Sequence, residues 1–177
     1  ADADAVCPAP GEGCFTRTPG FWGNHPAITA EFLNVEVCGV TIDNVLACED
    51  DECTSAIEAI CSVGKDGKIL GPQLTQLVRQ CTAAGLNIAA STEGGGNCSS
   101  EFPSLDAQMA ACCSAESVCT GAEPDGFTVN SCIETLDAFN NSIDTLAPFG
   151  PFVGSQRADS SVCRDSKNNG VVVTPIP

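Results

Sequence analysis

The sequence is poor in the side chains that most catalytic and binding sites use. In 177 residues it has no tyrosine, one tryptophan, one methionine and one histidine. A lone histidine does not make a zinc site, and Trp22 and His25 have no carboxylate beside them at helical spacing. Seven basic residues face 23 acidic ones, for a formal net charge of −16. Nucleic acid and anionic membrane surfaces repel such a chain, so neither is expected as a partner. No C-x-x-C pair occurs, which excludes paired zinc knuckles, and the absence of C-x-x-C-H argues against covalently attached haem. No apolar run reaches the ~20 residues that span a bilayer. There is no G-x-S-x-G nucleophile elbow, and no repeat with a period of roughly 20 to 50 residues. No cofactor, catalytic residue or resident metal is expected.

What the sequence does have is cysteine, thirteen in all: Cys7, Cys14, Cys38, Cys48, Cys53, Cys61, Cys81, Cys98, Cys112, Cys113, Cys119, Cys132 and Cys163. Without metal spacings, this density reads as a disulfide framework formed in an oxidising compartment. The connectivity is not deducible from spacing. Because thirteen is odd, one cysteine is a buried free thiol, or is bonded to another chain or to a small thiol. The opening ADADAVC reads as a mature end left after removal of a signal peptide, which places the chain outside the cell or on its surface.

The pattern predicts one mainly α domain, stapled by disulfides, with short strands and extended arms at both ends. Residues 1–17, rich in Ala, Pro and Gly, form the N-terminal arm. Residues 18–150 form the disulfide-rich helical domain, and residues 151–177 a polar segment that ends in a short strand, VVVTPIP. Pro26 suits the first position of a short helix capped by Asn24 or His25. VEVCGVTI (35–42) alternates like a strand, with a short helix expected from Thr41 to Leu46. Ser55 and Glu58 match a capping box. The clearest helix runs over about 71–91, with Leu74, Leu77, Val78, Cys81, Gly85 and Ile88 on one face; Gly85 there suggests a close neighbour. Ser104 starts a helix expected to reach Val118. Thr128 or Ser131 starts another, with a stripe through Cys132, Ile133, Leu136, Phe139, Ile143 and Leu146.

Three motifs invite chemistry. TPGFWGNHP (18–26) holds the only Trp and the only His. Gly20 and Gly23 suit a tight turn that lays Phe21 and Trp22 on the core while Asn24 and His25 cap backbone groups, so Phe21, Trp22 and His25 are read as a structural fastener. The acidic run Glu49, Asp50, Asp51, Glu52 is a calcium candidate, although four adjacent carboxylates do not converge on one ion. DSKNNG (165–170) opens like a calcium loop, but Lys167 and Ile176 stand where oxygen ligands are needed. Asn97 and Asn140 begin N-x-S sequons.

Three stretches also resemble, in order, a group of secreted bacterial domains of unknown function. TPGFWGNHP is similar to their G-Y-W-K-N-H-P signature, LVRQCTAAGLNIAAST (77–92) to a Q-L-I-A-A-K-L-N-[IV]-A-N-G helix, and LDAFNNSID (136–144) to an L-x-x-Y-N-N-G segment. GVTIDNVLA (39–47) corresponds to an intervening V-T-Y-T-x-x-x-L-L stretch. The resemblance covers about residues 18–146. It implies an extracellular or surface-associated domain and supplies no activity, cofactor or catalytic residue. Phe21 and Gly23 replace the Tyr and Lys of the signature, and the cysteine load is heavier here.

The expected function is that of a secreted, non-catalytic structural protein, a self-assembling subunit of an extracellular fibre, appendage or surface layer. Its partner is a further copy of itself. The link is an intersubunit disulfide, with Cys7 as candidate, or addition of the Val171, Val172, Val173 and Ile176 tail to a neighbour's sheet edge. The alternatives are a monomeric surface module that binds a glycan or protein, and a secreted hydrolase with a carboxylate pair too dispersed to leave a signature.

Overall fold

The computed structural model describes residues 13–46, 55–61 and 71–143. In chain order these form helices α1 (Pro19–Asn24) and α2 (Pro26–Ala30), strands β1 (Val35–Val37) and β2 (Val40–Ile42), and α3 (Ala56–Cys61). There follow α4 (Gly71–Glu93), α5 (Cys98–Glu101), α6 (Leu105–Cys113), a 3-10 turn at Val118–Thr120, and α7 (Val129–Ser142). The single antiparallel hairpin is the only sheet among the described residues. The domain is therefore mainly helical and disulfide-stapled, with short strands. Of the expected arms only 13–17 are described; residues 1–12 and 144–177 lie outside the described residues, as do the 47–54 and 62–70 stretches.

Helix α4 is the axis, with α7, α3, β1, α1 and α6 packed around it. The one-sided stripe expected from sequence understates this. Leu77, Val78, Cys81, Ala83, Ala84, Leu86 and Ala90 are buried, and so are Gln80, Thr82, Asn87 and Ser91. A helix enclosed on several sides must be apolar or internally bonded all round. Gly85 lies against Val35 of β1, but a Cβ there would meet Val35 at an ordinary 3.6 Å. The helix therefore does not need a glycine at this position.

Local chemistry explains the other elements. The Ser55 hydroxyl accepts from Glu58 N (3.3 Å) and starts α3, as expected. At α7, Thr128 and Ser131 exchange side-chain and backbone hydrogen bonds at 3.0 and 2.8 Å. Three expectations are corrected. PGFWGN is a helical turn, because Thr18 caps it by accepting from Phe21 N and Pro19 supplies the first position; neither Gly20 nor Gly23 has positive φ. Thr41 belongs to β2, paired with Glu36, so no helix begins there. The two-residue loop that makes this hairpin, Cys38–Gly39, has φ of +55° and +82°, the conformation a tight primed turn demands. Finally, the helix after Ser104 stops at Cys113. Ser114 turns its hydroxyl onto Ala110 O (2.6 Å) and accepts from Glu116 N, and Ser117 opens a separate 3-10 turn through a reciprocal box with Thr120. Such hydroxyls compete with the backbone for helix hydrogen bonds.

Four disulfides staple these elements: Cys14–Cys98, Cys38–Cys119, Cys81–Cys113 and Cys112–Cys132. Cys61 is disulfide-bonded too. The adjacent Cys112 and Cys113 thus join α6 to both α7 and α4. Cys7, Cys48, Cys53 and Cys163 lie outside the described residues.

Candidate functional site

A polar constellation in the core is built around Asn87. Upstream of α1, residues Gly13–Arg17 run as an extended strap along α4. Asn87 and Ser91 stand one helical turn apart on α4, and Phe15 and Arg17 stand two apart on the strap, so each pair lines one side of its element. Ser91 Oγ accepts from Phe15 N (2.9 Å) and donates to Phe15 O (3.0 Å). Asn87 Oδ1 accepts from Arg17 N (2.8 Å), and its Nδ2 donates to Arg17 O (3.0 Å). Two helix side chains thereby do for the strap what a neighbouring strand would do. Thr16, on the opposite side, accepts from Ile143 N (2.9 Å) at the end of α7.

Asn87 is the hub of a longer chain. Its Oδ1 also accepts from Trp22 Nε1 (3.0 Å), and its Nδ2 also donates to Asn140 Oδ1 (2.9 Å). An indole N–H and a backbone N–H can only donate, which fixes the orientation of the amide. All four hydrogen-bonding positions of the Asn87 side chain are filled. Asn140 Nδ2 donates to Gln80 O and Gln80 Oε1 (3.2 and 2.8 Å), and Gln80 Nε2 donates to Asp137 Oδ1 (3.2 Å) at the surface. The network runs from the indole of α1 through α4 and α7 to an exposed carboxylate. Within it meet the three stretches that sequence reading singled out: Trp22 from the first, Gln80 and Asn87 from the second, Asp137 and Asn140 from the third.

The rest of TPGFWGNHP closes backbone ends. Pro26 has no N–H, which leaves the Trp22 carbonyl without its helical donor; the Thr29 hydroxyl supplies one at 2.8 Å. His25 Nδ1 lies 2.8 Å from Phe21 O, and a carbonyl only accepts, so Nδ1 carries the proton. The His25 ring stacks on Phe21 at 4.2 Å between centroids, and the Arg17 guanidinium sits 3.9 Å from the centroid of the same ring. Two groups this close do not share one face, so Phe21 is sandwiched. Trp22 is fully buried, edge-on to Phe21 and Phe32. His25 is the N-cap residue of α2, but without a side-chain cap bond.

The Asn87 network closes on itself. Its amides, hydroxyls and indole are paired with one another and with backbone, which orders a core rather than offering groups to a ligand. Away from it, Arg79 Nη1 caps the end of α3 through Ile60 O (2.7 Å). Burial lowers the pKa of this guanidinium from its ordinary value, and nearby Asp137 partly opposes the shift. A shallow open cleft of about 370 Å³ lies between the hairpin turn and the end of α6, lined by Glu36, Gly39, Met109 and Ser114 among others. Among the described residues no three His, Cys, Asp or Glu side chains converge on a metal position, and no helix is long and apolar enough to cross a membrane.

Of the other residues singled out in the sequence, Asn140 is buried with its amide committed, whereas Asn97 is exposed and caps α5 through Ser99 N and Ser100 N. Glu49, Asp50, Asp51 and Glu52, the 165–170 turn, and the assembly candidates Cys7, Val171, Val172, Val173 and Ile176 lie outside the described residues. The pattern singled out none of Gln80, Asn87 and Ser91, and it marked Asn140 only as a sequon. The signal for them was polarity in an apolar phase: positions 80, 84, 87 and 91 share one helical face, and three of the four are polar. No family model, no curated protein and no solved structure matches the chain.

Proposed function

We propose that the chain is a secreted, non-catalytic structural protein, a self-assembling subunit of an extracellular fibre, appendage or surface layer. The observation that carries this reading is the cysteine account. All nine described cysteines are disulfide-bonded, while the chain has thirteen. The unmatched cysteine is therefore Cys7, Cys48, Cys53 or Cys163, and not a thiol sealed in the core described here. A thiol left over after the body is fully stapled is free to join copies. Two further features support the reading. In the motif that looked most like a site, Thr18 Oγ1, Trp22 Nε1 and His25 Nδ1 are bonded within the protein, and the stapled core suits an oxidising location. The resemblance of TPGFWGNHP and its companion stretches to secreted bacterial domains points the same way.

The test is the native size of the protein. Light scattering and electron microscopy under non-reducing conditions, beside denaturing gels with and without reductant, should show long polymers or a ladder that collapses on reduction. A clean monomer at high concentration overturns the proposal in favour of a monomeric surface module that binds a glycan or protein.

A further inference from the structure

We propose that Asn97 is the N-glycosylation site of this chain, its Nδ2 taking a saccharide from a polyprenyl-diphosphate-linked donor, and that Asn140, which begins the other N-x-S sequon, carries none. The inference rests on the secreted part of the reading above and goes beyond it. Both sequons have the required hydroxyl two residues on, at Ser99 and Ser142, and neither has proline between. Sequence treats them alike, and the fold separates them. Asn97 stands in the bend between α4 and α5, on a shoulder where Glu93, Ser100, Glu101 and Asp106 are exposed as well. Its Oδ1 accepts from Ser99 N (3.0 Å) and Ser100 N (3.3 Å). A backbone N–H only donates, so the oxygen is turned toward the start of α5 and Nδ2, on the other arm of the planar amide, away from it. Among the described residues no acceptor meets Nδ2. A sugar on Nδ2 leaves the carbonyl oxygen in place, so both bonds that start α5 survive the modification and the saccharide extends into solvent.

At Asn140 each of these conditions is reversed. The side chain is fully buried. Nδ2 donates to Gln80 O (3.2 Å) and Gln80 Oε1 (2.8 Å), and Oδ1 accepts from Asn87 Nδ2 (2.9 Å). A sugar there replaces one of the two amide hydrogens, pushes a ring between α4 and α7, and cuts the line that runs through Asn87. Whether transfer precedes or follows folding, only the Asn97 product fits this structure. The reaction balances. Asn97 Nδ2 bonds to the anomeric carbon of the donor saccharide, the bond from that carbon to the diphosphate oxygen breaks, the amide gives up one proton, and the polyprenyl diphosphate leaves.

The test directs the full chain, by an added leader, into the secretory pathway of a eukaryotic cell, which holds such donors. The secreted protein is reduced, denatured and treated in heavy-oxygen water with the amidase that releases N-glycans and leaves aspartate. Mass spectrometry of an acid-protease digest then reads each asparagine that carried a sugar. The label is expected at position 97 and not at 140. An unlabelled Asn97 in the secreted chain overturns the inference, and so does a label at Asn140. Two variants separate the sequon from the fold. Asn97→Asp keeps a capping oxygen, and Ser99→Ala keeps the backbone N–H that the cap uses. Each is expected to be secreted and to run one glycan smaller on a gel; a glycan that persists in either variant sits elsewhere and overturns the inference. Sizing the same secreted protein keeps the two readings apart. A monomer glycosylated at Asn97 sustains this inference and overturns the fibre, whereas polymers with a bare Asn97 do the reverse.

Discussion

On the side of α4 that faces α6, Cys81 leaves the helix as half of a disulfide to Cys113, and the next cysteine, Cys112, continues to Cys132 on α7. On the sides that face the strap, α1 and the far part of α7, the same helix sends out Ser91, Asn87 and Gln80, and the joints are hydrogen bonds. The two flanks resist disruption for different reasons. A disulfide acts largely by restricting the unfolded chain, with a benefit set by loop length. A buried amide network acts in the native state, where removing one member strands all its partners. The first is robust to imperfect surroundings, and the second is not.

The sharpest way to break this comparison is Asn87→Ala. It strands Trp22 Nε1, both backbone groups of Arg17, and Asn140 Oδ1. At about 1–3 kcal/mol for each unsatisfied buried group, a loss of at least ~4 kcal/mol is expected in urea unfolding. A loss below about 1 kcal/mol means that the network is ornamental and the staples alone hold the fold. The paired variant Cys112→Ser with Cys132→Ser opens a loop of 20 residues. It is expected to lower stability by about 3 kcal/mol while leaving the near-ultraviolet signal of Trp22 unchanged, because that indole belongs to the other flank. A changed tryptophan signal would show that the flanks are coupled. Trp22→Phe keeps an aromatic body and removes one donor from an oxygen that still accepts from Arg17 N. Its expected cost is about 1–2 kcal/mol, measured the same way, and well short of that of Asn87→Ala. The smallest effect has the opposite sign. Gly85→Ala, facing Val35 across an ordinary contact distance, should stabilise by about 0.5–1 kcal/mol in thermal unfolding.

The same contrast explains what was legible in the sequence. Helices α4 and α7 and the Ser55 start of α3 were readable, because apolar spacing and capping hydroxyls are local signals. The mainly helical, stapled class was readable from cysteine count and pattern. The helical turn at PGFWGN was misread because its two glycines suggested a turn, although Thr18 and Pro19 carry the start signal of a helix. The helix expected at 41–46 failed because Cys38, an unusual residue at positive φ, hid a tight hairpin. The Asn87 network was out of reach in another way. Its members come from positions 17, 22, 80, 87, 137 and 140, and only packing shows that polar residues so dispersed share one buried line. Disulfide partners were hidden for the same reason, with bonded cysteines 20 to 84 residues apart.

The order in which the staples are threaded has a mechanical consequence. Pulled from Cys14 to Cys132, the chain would have a contour of about 118 residues if it carried no bridges. Cys14–Cys98 and Cys112–Cys132 take most of that length out of the load path. Only the stretch from Cys98 to Cys112 can pay out, roughly 14 residues or about 50 Å at full extension. Tension applied between these points meets covalent bonds before the body can unravel, so the domain is a tether with a short, built-in limit to its stretch.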